Sequence, residues 1–402
     1  MATKANRRLA ADAALFFTIS VLFFISITSF DPFVSSYAAA LGIPAALIGS
    51  VVGVTGLASA FARLPLGIAS GLLSRRKLFI QAGFALTAAS WTAAYLAPGA
   101  ATLFAGKLSN GLAGSTWVIY TVMFTSYFAA KEGAKAMAII SVASPLGSFV
   151  GSTAGGLVIH EFGYEAGFAV AIFAALLALA LTFFLKDGET RGGSFDRSAL
   201  SSQLADTRLW MIALLGILVQ MTMYGTRDTF TPLMAQRLGA GPIEISWLAN
   251  THLVLFALST ALCPWLYRRL GLARTGAAGF ALQGLAILAM PLASSLPALF
   301  ALQAVAGVAY GMAFTFLMSI VLEGAKPQEK TTRMGFFQSL YSVGVFAGPL
   351  LLGLLVDRAS ETTGFAVWGA LSVLGGALTV RMLRGRRQST KIRPGQGGRR
   401  TL

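Results

Sequence analysis

Apolar runs of roughly 18 residues or more recur along the whole chain, and short polar segments separate them. Each run is long enough to cross roughly 30 Å of hydrocarbon as a helix. Lipid offers the backbone no hydrogen-bond partners, so such runs must form helices or closed barrels, and these are too long and too evenly apolar for barrel strands. The pattern predicts an all-α membrane protein with twelve transmembrane helices, at residues 13–37, 46–72, 78–97, 101–127, 136–159, 165–185, 209–234, 244–266, 273–294, 297–321, 334–356 and 364–383.

The composition agrees with a membrane protein. Apolar residues make up 56% of the 402 residues and charged residues 11%, whereas a soluble domain usually carries about 25% charged residues. The net charge of +16 would suit a nucleic-acid partner, but the Lys and Arg residues concentrate in alternate interhelical segments and in the C-terminal tail. This positive-inside pattern predicts a multi-pass protein of the cell (inner) membrane with both termini in the cytoplasm and no nucleic-acid partner.

The second half of the chain repeats the first at an offset of 197 residues. Asp31 recurs as Asp228, and the Leu-Gly pair that ends at Gly42 recurs at Gly239. Three glycines of the fifth run recur in the eleventh, since Gly147, Gly151 and Gly156 correspond to Gly344, Gly348 and Gly353. In the fourth and tenth runs the offset is 196, so that residues 104–111 correspond to residues 300–307.

This repetition predicts the domain organisation. Two six-helix bundles of the same topology should be related by a pseudo-two-fold axis along the membrane normal, with a small-molecule substrate bound between them near the midplane. The predicted units are an N-terminal six-helix bundle at 1–185, a cytoplasmic linker at 186–208, a C-terminal six-helix bundle at 209–385 and a basic cytoplasmic tail at 386–402.

The segment RLPLGIASGLLSRRK, residues 63–77, resembles the loop 2–3 motif of the major facilitator superfamily, roughly G-x-L-A-D-R-x-G-R-R/K. The resemblance covers essentially the whole chain and implies a twelve-helix secondary transporter that works by alternating access. It also implies gating roles for Gly67, Arg75 and Arg76. The motif's Asp is Gly71 here and Arg268 in the second half. In the family that Asp locks one state by contacting helix eleven, so another latch, or an easier inward-open state, is implied, with Arg268 among the gating residues.

Two further stretches resemble drug/proton antiporters of this family. The fifth run carries the glycines of their Gly-Pro-rich motif, with Ser152 in place of the proline, and the corresponding stretch of the other half keeps it as Gly348-Pro349. The resemblance implies gating roles for Gly151, Gly348 and Pro349. In the fourth run, Lys107 begins a partial match to the R-x-x-x-G pattern that the family links to proton movement.

Five charged residues lie well inside the apolar runs, at least several residues from either end, and they are the strongest functional candidates: Asp31, Arg63, Lys107, Arg227 and Asp228. A charge within hydrocarbon costs about 2.5–3.5 kcal/mol on insertion scales, so such side chains face a bundle interior and pair. We predict proton-coupling roles for Asp31, Asp228 and Lys107. The alternative for Asp31 is a fixed ion pair with Lys107 that only orders the helices. For Arg63 the alternatives are gating and substrate contact.

The remaining candidates are predicted to line a substrate site. Because Arg227 and Asp228 are adjacent, we expect Asp228 to face the cavity and Arg227 to pair across helices or bind an anionic group. His252 could titrate near neutral pH, although a lone histidine on an apolar helix more often has only a structural hydrogen bond. The other predicted lining residues are Tyr224, Gln220, Asn110, Gln303, Gln338, Tyr341, Phe30 and Phe33.

The predicted function is secondary active transport of a small organic molecule, most consistent with proton-coupled efflux. Proton-linked uptake of an organic anion or nutrient is the alternative, and a non-transporting membrane sensor is a minor one. The sequence contains no G-x-x-x-x-G-K-[ST] or H-E-x-x-H pattern, so we expect no cofactor, no metal and no enzymatic activity. The single cysteine, Cys263, excludes an internal disulfide. A monomer in the lipid bilayer is expected.

Overall fold

The computed structural model describes residues 4–73, 76–128, 132–185, 203, 205–323, 325 and 330–391. Within these residues the chain is helical, contains no strand and crosses the membrane region in twelve segments, which we call spans 1 to 12. Spans 1 to 6 are Lys4–Thr28 with Val34–Ala40, Ala45–Leu73, Arg76–Leu96, Ala100–Ser115 with Trp117–Thr125, Gly133–Phe162, and Tyr164–Thr182. Spans 7 to 12 are Thr207–Gly225 with Thr231–Arg237, Pro242–Leu270, Leu272–Ala289, Leu296–Leu322, Lys330–Arg358, and Glu361–Lys391. The predicted all-α, twelve-helix class is confirmed.

Span 4 differs from its prediction. Ten helical segments of the described chain are long and apolar enough by themselves to cross a membrane, and spans 3 and 4 complete the set of twelve. We predicted one helix over 101–127, but span 4 breaks at Thr116. There the hydroxyl of Ser115 donates to the carbonyl of Gly111 at 2.8 Å, and that of Thr116 donates to the carbonyl of Ala113 at 2.7 Å. Such hydroxyls compete with the helix for its own carbonyl groups, which accounts for the interruption.

The ends of the second bundle also differ slightly from expectation. Asp206 caps span 7 by accepting hydrogen bonds from the backbone N–H groups of Arg208 and Leu209, at 2.9 and 3.2 Å. Span 7 therefore begins inside the segment that we assigned to the linker. Span 12 continues as a helix to Lys391, past the expected end of its apolar run at residue 383. The rest of the predicted basic tail lies outside the described residues.

Spans 1 and 7 are irregular at corresponding positions. Span 1 contains a 3-10 turn at Asp31–Phe33, and span 7 contains a π turn at Thr226–Phe230. Both spans then end at a glycine in the left-handed region, Gly42 with φ 73° and Gly239 with φ 88°. Only glycine adopts that conformation without a steric penalty. The offset of 197 residues is therefore a repeat of backbone geometry as well as of sequence.

Contacts between the two halves follow the same offset. A methyl group added to Gly156 of span 5 would lie 3.0 Å from the carbonyl oxygen of Pro242 in span 8. Gly353 of span 11 faces the backbone of Ala45 in span 2. Both residue pairs, 156 with 353 and 242 with 45, are separated by 197 positions. The pseudo-two-fold relation that the sequence predicts is therefore present in the packing of the two halves.

Candidate functional site

An ion pair joins spans 1 and 4 at the break in span 1. The Nζ atom of Lys107 lies 2.7 Å from Oδ1 of Asp31. The Lys107 side chain is only 6% exposed, while that of Asp31 is 34% exposed. The 3-10 turn positions Asp31 at this point, because span 1 stops being a regular helix at Thr28. The buried ammonium of Lys107 is thus neutralised by a carboxylate, that of Asp31, which remains partly exposed.

Hydrogen bonds fix the helix that carries Lys107. The Thr55 hydroxyl of span 2 donates to the backbone carbonyl of Lys107 at 3.2 Å. Asn110, one turn further on, accepts a hydrogen bond from Nε1 of Trp91 at 3.1 Å and donates to the carbonyl of Ile27 at 2.8 Å. In this state the Asn110 amide therefore joins spans 1, 3 and 4, and its contact with a substrate stays a prediction.

A second ion pair lies in the π turn of span 7. Nη1 of Arg227 lies 3.0 Å from Oδ1 of Asp228, and the two side chains are 21% and 20% exposed. We expected the two neighbours to point to different sides, and this expectation is wrong. A π turn is wider than an α turn, so it reduces the angle between successive side chains, and the long Arg227 side chain folds back onto its neighbour.

The two ion pairs lie close to each other across the boundary between the halves. The broken segments of spans 1 and 7 are in contact. Asp228 interacts electrostatically with both Asp31 and Lys107, as well as with Arg227. Four charges, two from each half, therefore form one cluster at the boundary between the halves. The sequence predicted the individual residues of this cluster but not its pairing.

Polar and aromatic side chains of the C-terminal half surround the Arg227–Asp228 pair. Gln220 is buried and accepts a hydrogen bond from the Tyr310 hydroxyl at 2.6 Å. Tyr224 interacts electrostatically with Asp228 and Tyr341. Gln220 and Gln303 are 4% and 1% exposed, so neither lines an open surface in this state, and their contact with a substrate stays a prediction. Tyr224 and Tyr341 remain partly exposed.

The aromatic residues beside Asp31 are buried within the N-terminal half. The Phe30 ring lies 5.6 Å from the ring of Trp91 and 4.3 Å from that of Phe168, measured between centroids. Phe30 and Phe33 are 1% and 0% exposed. In this state both rings therefore pack inside the N-terminal half, and their place in a ligand pocket stays a prediction.

Arg63 connects the two halves. Its Nη1 donates to Oε1 of Gln338 in span 11 at 3.1 Å. Both residues were predicted to contact substrate, and in this state their side chains contact each other. The bond between a cation and a neutral amide leaves the charge of Arg63 without a compensating acid in this contact.

The far ends of the spans, opposite the two termini, are packed together. Gln236 of span 7 donates from Nε2 to the hydroxyl of Tyr164 in span 6 at 2.7 Å. Asp357 of span 11 accepts hydrogen bonds from the backbone N–H groups of Ala45 and Ala46 in span 2, at 3.2 and 2.8 Å. These contacts close the boundary between the halves at that end.

The profile of the Major Facilitator Superfamily matches the chain over residues 16–236 and 212–401. The chain belongs to the Major Facilitator Superfamily. With its twelve spans, the chain is therefore a multi-pass membrane protein of this superfamily.

Known proteins of the superfamily agree with this assignment. The inner membrane transport protein YajR of Escherichia coli (strain K12) is 26% identical over 240 residues, which are 57% of this chain and 51% of that relative. The alignment thus spans about half the length of YajR.

Two solved structures share the fold. A bacterial homolog of the human lysosomal transporter Spinster, in an inward-facing and unoccupied conformation, gives a TM-score of 0.79 at 14% identity, over 96% of this chain and 99% of that chain. A mutant of the nucleoside transporter NupG gives a TM-score of 0.77 at 15% identity, over 92% of this chain and 99% of that chain. At these identities the likeness establishes the twelve-helix superfamily fold.

The residues assigned to gating from the superfamily motifs occupy different environments. Gly151 packs against Ile25 of span 1, and Gly348 packs in the same way against Met221 of span 7. The backbone of Pro349 lies against Gly49 of span 2. The other motif residues are spread over three places. Gly67 lies within span 2, Arg76 is partly buried at the start of span 3, and Arg268 is exposed at the end of span 8, while Arg75 lies outside the described residues.

Residues that the sequence analysis did not single out also contribute to this candidate site. Thr55 donates to the backbone carbonyl of Lys107, Tyr310 donates to the Gln220 side chain, and Asp357 accepts hydrogen bonds at the far end of span 2. The 197-residue offset could have indicated Thr55, because it corresponds to His252. Among the described residues no group of three or more His, Cys, Asp or Glu side chains is placed to hold a metal ion.

Proposed function

We propose that this chain is a proton-coupled secondary transporter of the inner membrane that exports a small organic molecule by alternating access. The observation that carries the proposal is the Asp31–Lys107 pair. A carboxylate that is one-third exposed neutralises a buried ammonium at 2.7 Å. A proton that binds Asp31 removes this neutralisation, so protonation and the packing of spans 1 and 4 are linked.

The coupling follows from the position of the pair. Asp31 lies in the break of span 1, against the equivalent break of span 7. When the halves rock, Asp31 separates from the Lys107 ammonium and meets new neighbours. Because a nearby cation favours the ionised carboxylate, this separation changes the affinity of Asp31 for a proton. The proton is thus bound on one side of the membrane and released on the other, and a substrate competing for the same state moves in the opposite direction.

The closed far end supports an inward-open resting state. The Asp357 and Gln236 contacts join the halves at the end opposite the termini, and the positive-inside pattern assigns the termini to the cytoplasm. The periplasmic side is then the closed one. An exporter that loads its substrate from the cytoplasm or the inner leaflet begins its cycle in this state.

A second candidate, proton-linked uptake of an organic anion, is favoured by one observation. Three cations, Arg63, Lys107 and Arg227, face two acids in the membrane interior, and Arg63 is hydrogen-bonded to the neutral Gln338. This surplus of positive charge suits an anionic substrate, whichever direction the transporter works in.

Flux into proteoliposomes with an imposed pH gradient tests the proposal. Ethidium and benzoate serve as the cationic and anionic probes. For an antiporter, an acidic interior drives accumulation of one of the probes, whereas for a symporter an acidic exterior does. We expect accumulation with an acidic interior, and we expect Asp31→Asn to abolish the effect of the gradient while exchange between labelled and unlabelled probe continues. Glu161→Gln, at an exposed position, is the matched control and should behave as wild type.

Two results would contradict the proposal. If neither probe responds to the gradient in the wild-type protein, proton coupling is wrong. If Asp31→Asn and Asp228→Asn both keep full gradient-driven flux, the assignment of the coupling residues is wrong even though the chain transports.

A further inference from the structure

The two halves carry different residues at equivalent positions around their acids. Thr55 corresponds to His252 at the 197-residue offset, and Lys107 corresponds to Gln303 at the 196-residue offset of spans 4 and 10. The structure bears out the equivalence through a pair of glycines. A methyl group added to Gly111 would lie 2.6 Å from the carbonyl oxygen of Thr55, and one added to Gly307 of span 10 would lie 2.6 Å from that of His252.

In the N-terminal half these positions are satisfied within the protein. Lys107 is paired with Asp31, Thr55 donates to the backbone of Lys107, and Asn110 makes two hydrogen bonds. The side chains of Lys107, Thr55 and Asn110 thus each have a partner within the protein, and Asp31 is the member of the set that stays one-third exposed.

In the C-terminal half, several polar atoms at and beside the equivalent positions are buried without a side-chain partner. His252 is 3% exposed, and neither Nδ1 nor Nε2 makes a hydrogen bond of ordinary geometry, although the Gln303 backbone lies near the ring. Oε1 of Gln303 and Nε of Arg227 are also buried without a partner. A buried polar atom left unpaired costs roughly 1–3 kcal/mol, so several of them in one place indicate a built recognition site.

These unpaired groups are close to one another. Arg227 is near enough to His252 for an electrostatic interaction between the two. The His252 ring lies 5.8 Å from the ring of Tyr310, measured between centroids. Tyr310 in turn interacts electrostatically with Tyr224 and Tyr341. Side chains from spans 7, 8, 10 and 11 therefore converge on one locus that has aromatic walls and cationic or N–H donors.

We propose that this locus, the His252 site, binds the carboxylate of an aromatic or amphipathic organic acid. Nε of Arg227 and an N–H of His252 donate to the carboxylate, and the rings of Tyr224 and Tyr310 flank the apolar body of the acid. The surplus cation of the membrane interior balances the added negative charge. The inference rests on the proposed transport function and names the substrate class, with the substrate held in the C-terminal half and the proton in the N-terminal half.

Equilibrium binding to the purified protein in detergent tests the inference without any gradient. Titration calorimetry compares benzoate with its neutral isostere benzamide. We expect the wild-type protein to bind benzoate more tightly than benzamide. His252→Phe keeps the ring volume and removes the donor, and it should weaken benzoate binding about tenfold to a hundredfold, the value of one hydrogen bond to a charged group. Benzamide affinity should change much less.

The chain offers a matched control, because its only other histidine, His160, is exposed. His160→Phe should bind benzoate as the wild-type protein does. Arg227→Gln provides a second test if His252→Phe fails to fold, and it should show the same preferential loss of benzoate affinity. The inference is overturned if benzoate binds no better than benzamide, or if both folded variants keep wild-type affinity. The binding experiment uses no pH gradient, so neither of these results bears on whether a gradient drives flux. Failure of the His252 site and failure of proton coupling are therefore distinguishable.

Discussion

The two halves meet along two contact lines that the pseudo-two-fold axis relates, span 2 against span 11 and span 5 against span 8. Along the first line the contact is between backbones. A methyl group added to Gly53 would lie 2.6 Å from the carbonyl oxygen of Phe346, and one added to Gly56 would meet the carbonyl oxygen of Ser342 at the same distance. Small residues allow such close approach, and the association then depends on van der Waals packing.

Along the second line, polar side chains make the contact at the position that corresponds to Gly53. Asn250 of span 8 occupies the position that corresponds to Gly53. Its Oδ1 accepts a hydrogen bond from the Ser152 hydroxyl at 2.6 Å, and its Nδ2 donates to the Thr153 hydroxyl at 2.9 Å. Ser152 corresponds to Pro349 of the first line, which packs against Gly49 and not against Gly53. The same position is thus stabilised by packing on one side of the molecule and by hydrogen bonds on the other.

The far ends of the two lines differ in how the entering helix is capped. Span 8 is capped from within, since Glu244 accepts a hydrogen bond from the N–H of Gly241 at 2.9 Å. Span 2 takes its cap from the opposite half, because Asp357 accepts from the N–H groups of Ala45 and Ala46. Opening the far end would therefore leave the first turn of span 2 without its acceptor, while span 8 would keep its own. The line formed by spans 2 and 11 should resist opening more strongly.

The largest effect is expected from Gly53→Ala. The added methyl group has no room against the Phe346 backbone, and overpacking of this kind typically destabilises by about 1–3 kcal/mol. Thermal unfolding in detergent should shift downwards, and amide hydrogen exchange should increase in the far halves of spans 2 and 11. Gly114→Ala is the control, since nothing lies within 4 Å of a methyl group there. Unchanged melting and exchange in Gly53→Ala would show that this line is not closely packed.

An intermediate effect is expected from Asn250→Ala, which removes both hydrogen bonds of the second line. Interhelical hydrogen bonds in membranes average about 0.6 kcal/mol each, so the loss should be roughly 1 kcal/mol. The same melting and exchange measurements should show the change in spans 5 and 8 and leave spans 2 and 11 as they are.

Ser246→Ala is the control for Asn250→Ala. The Ser246 hydroxyl donates to Ile243 of its own span, at 2.8 Å, and contributes no hydrogen bond across the line. If both variants melt alike, the hydrogen bonds of Asn250 do not distinguish the second line.

The smallest effect is expected from Asp357→Asn. The amide can still accept a hydrogen bond, but the negative charge at the positive end of span 2 is lost, which is worth about 0.3–1 kcal/mol at low ionic strength. Exchange of the Ala45 and Ala46 amides should become faster in the variant, and the difference from wild type should shrink as salt is added. Arg358→Gln changes the exposed neighbouring charge and is the control. Equal exchange rates in the wild type and both variants would show that the Asp357 cap does not distinguish the first line from the second.

The sequence by itself determined the number and order of the spans and the location of their charges. Long apolar runs must become helices in lipid because the backbone has no other hydrogen-bond partners there. The 197-residue offset predicted equivalent halves, and the equivalent backbone breaks at Asp31 and Asp228 and the left-handed Gly42 and Gly239 agree with it.

Tertiary structure alone decided which side chains meet. A transmembrane helix is apolar on nearly every side, so its pattern does not indicate which face meets a neighbouring span. Phe30 and Asn110 were therefore assigned to a cavity although both are buried between spans. Arg227 and Asp228 were assigned to opposite sides because the π turn that brings them together depends on the packing around span 7. Helix rotation, which only contacts between spans fix, accounts for these differences.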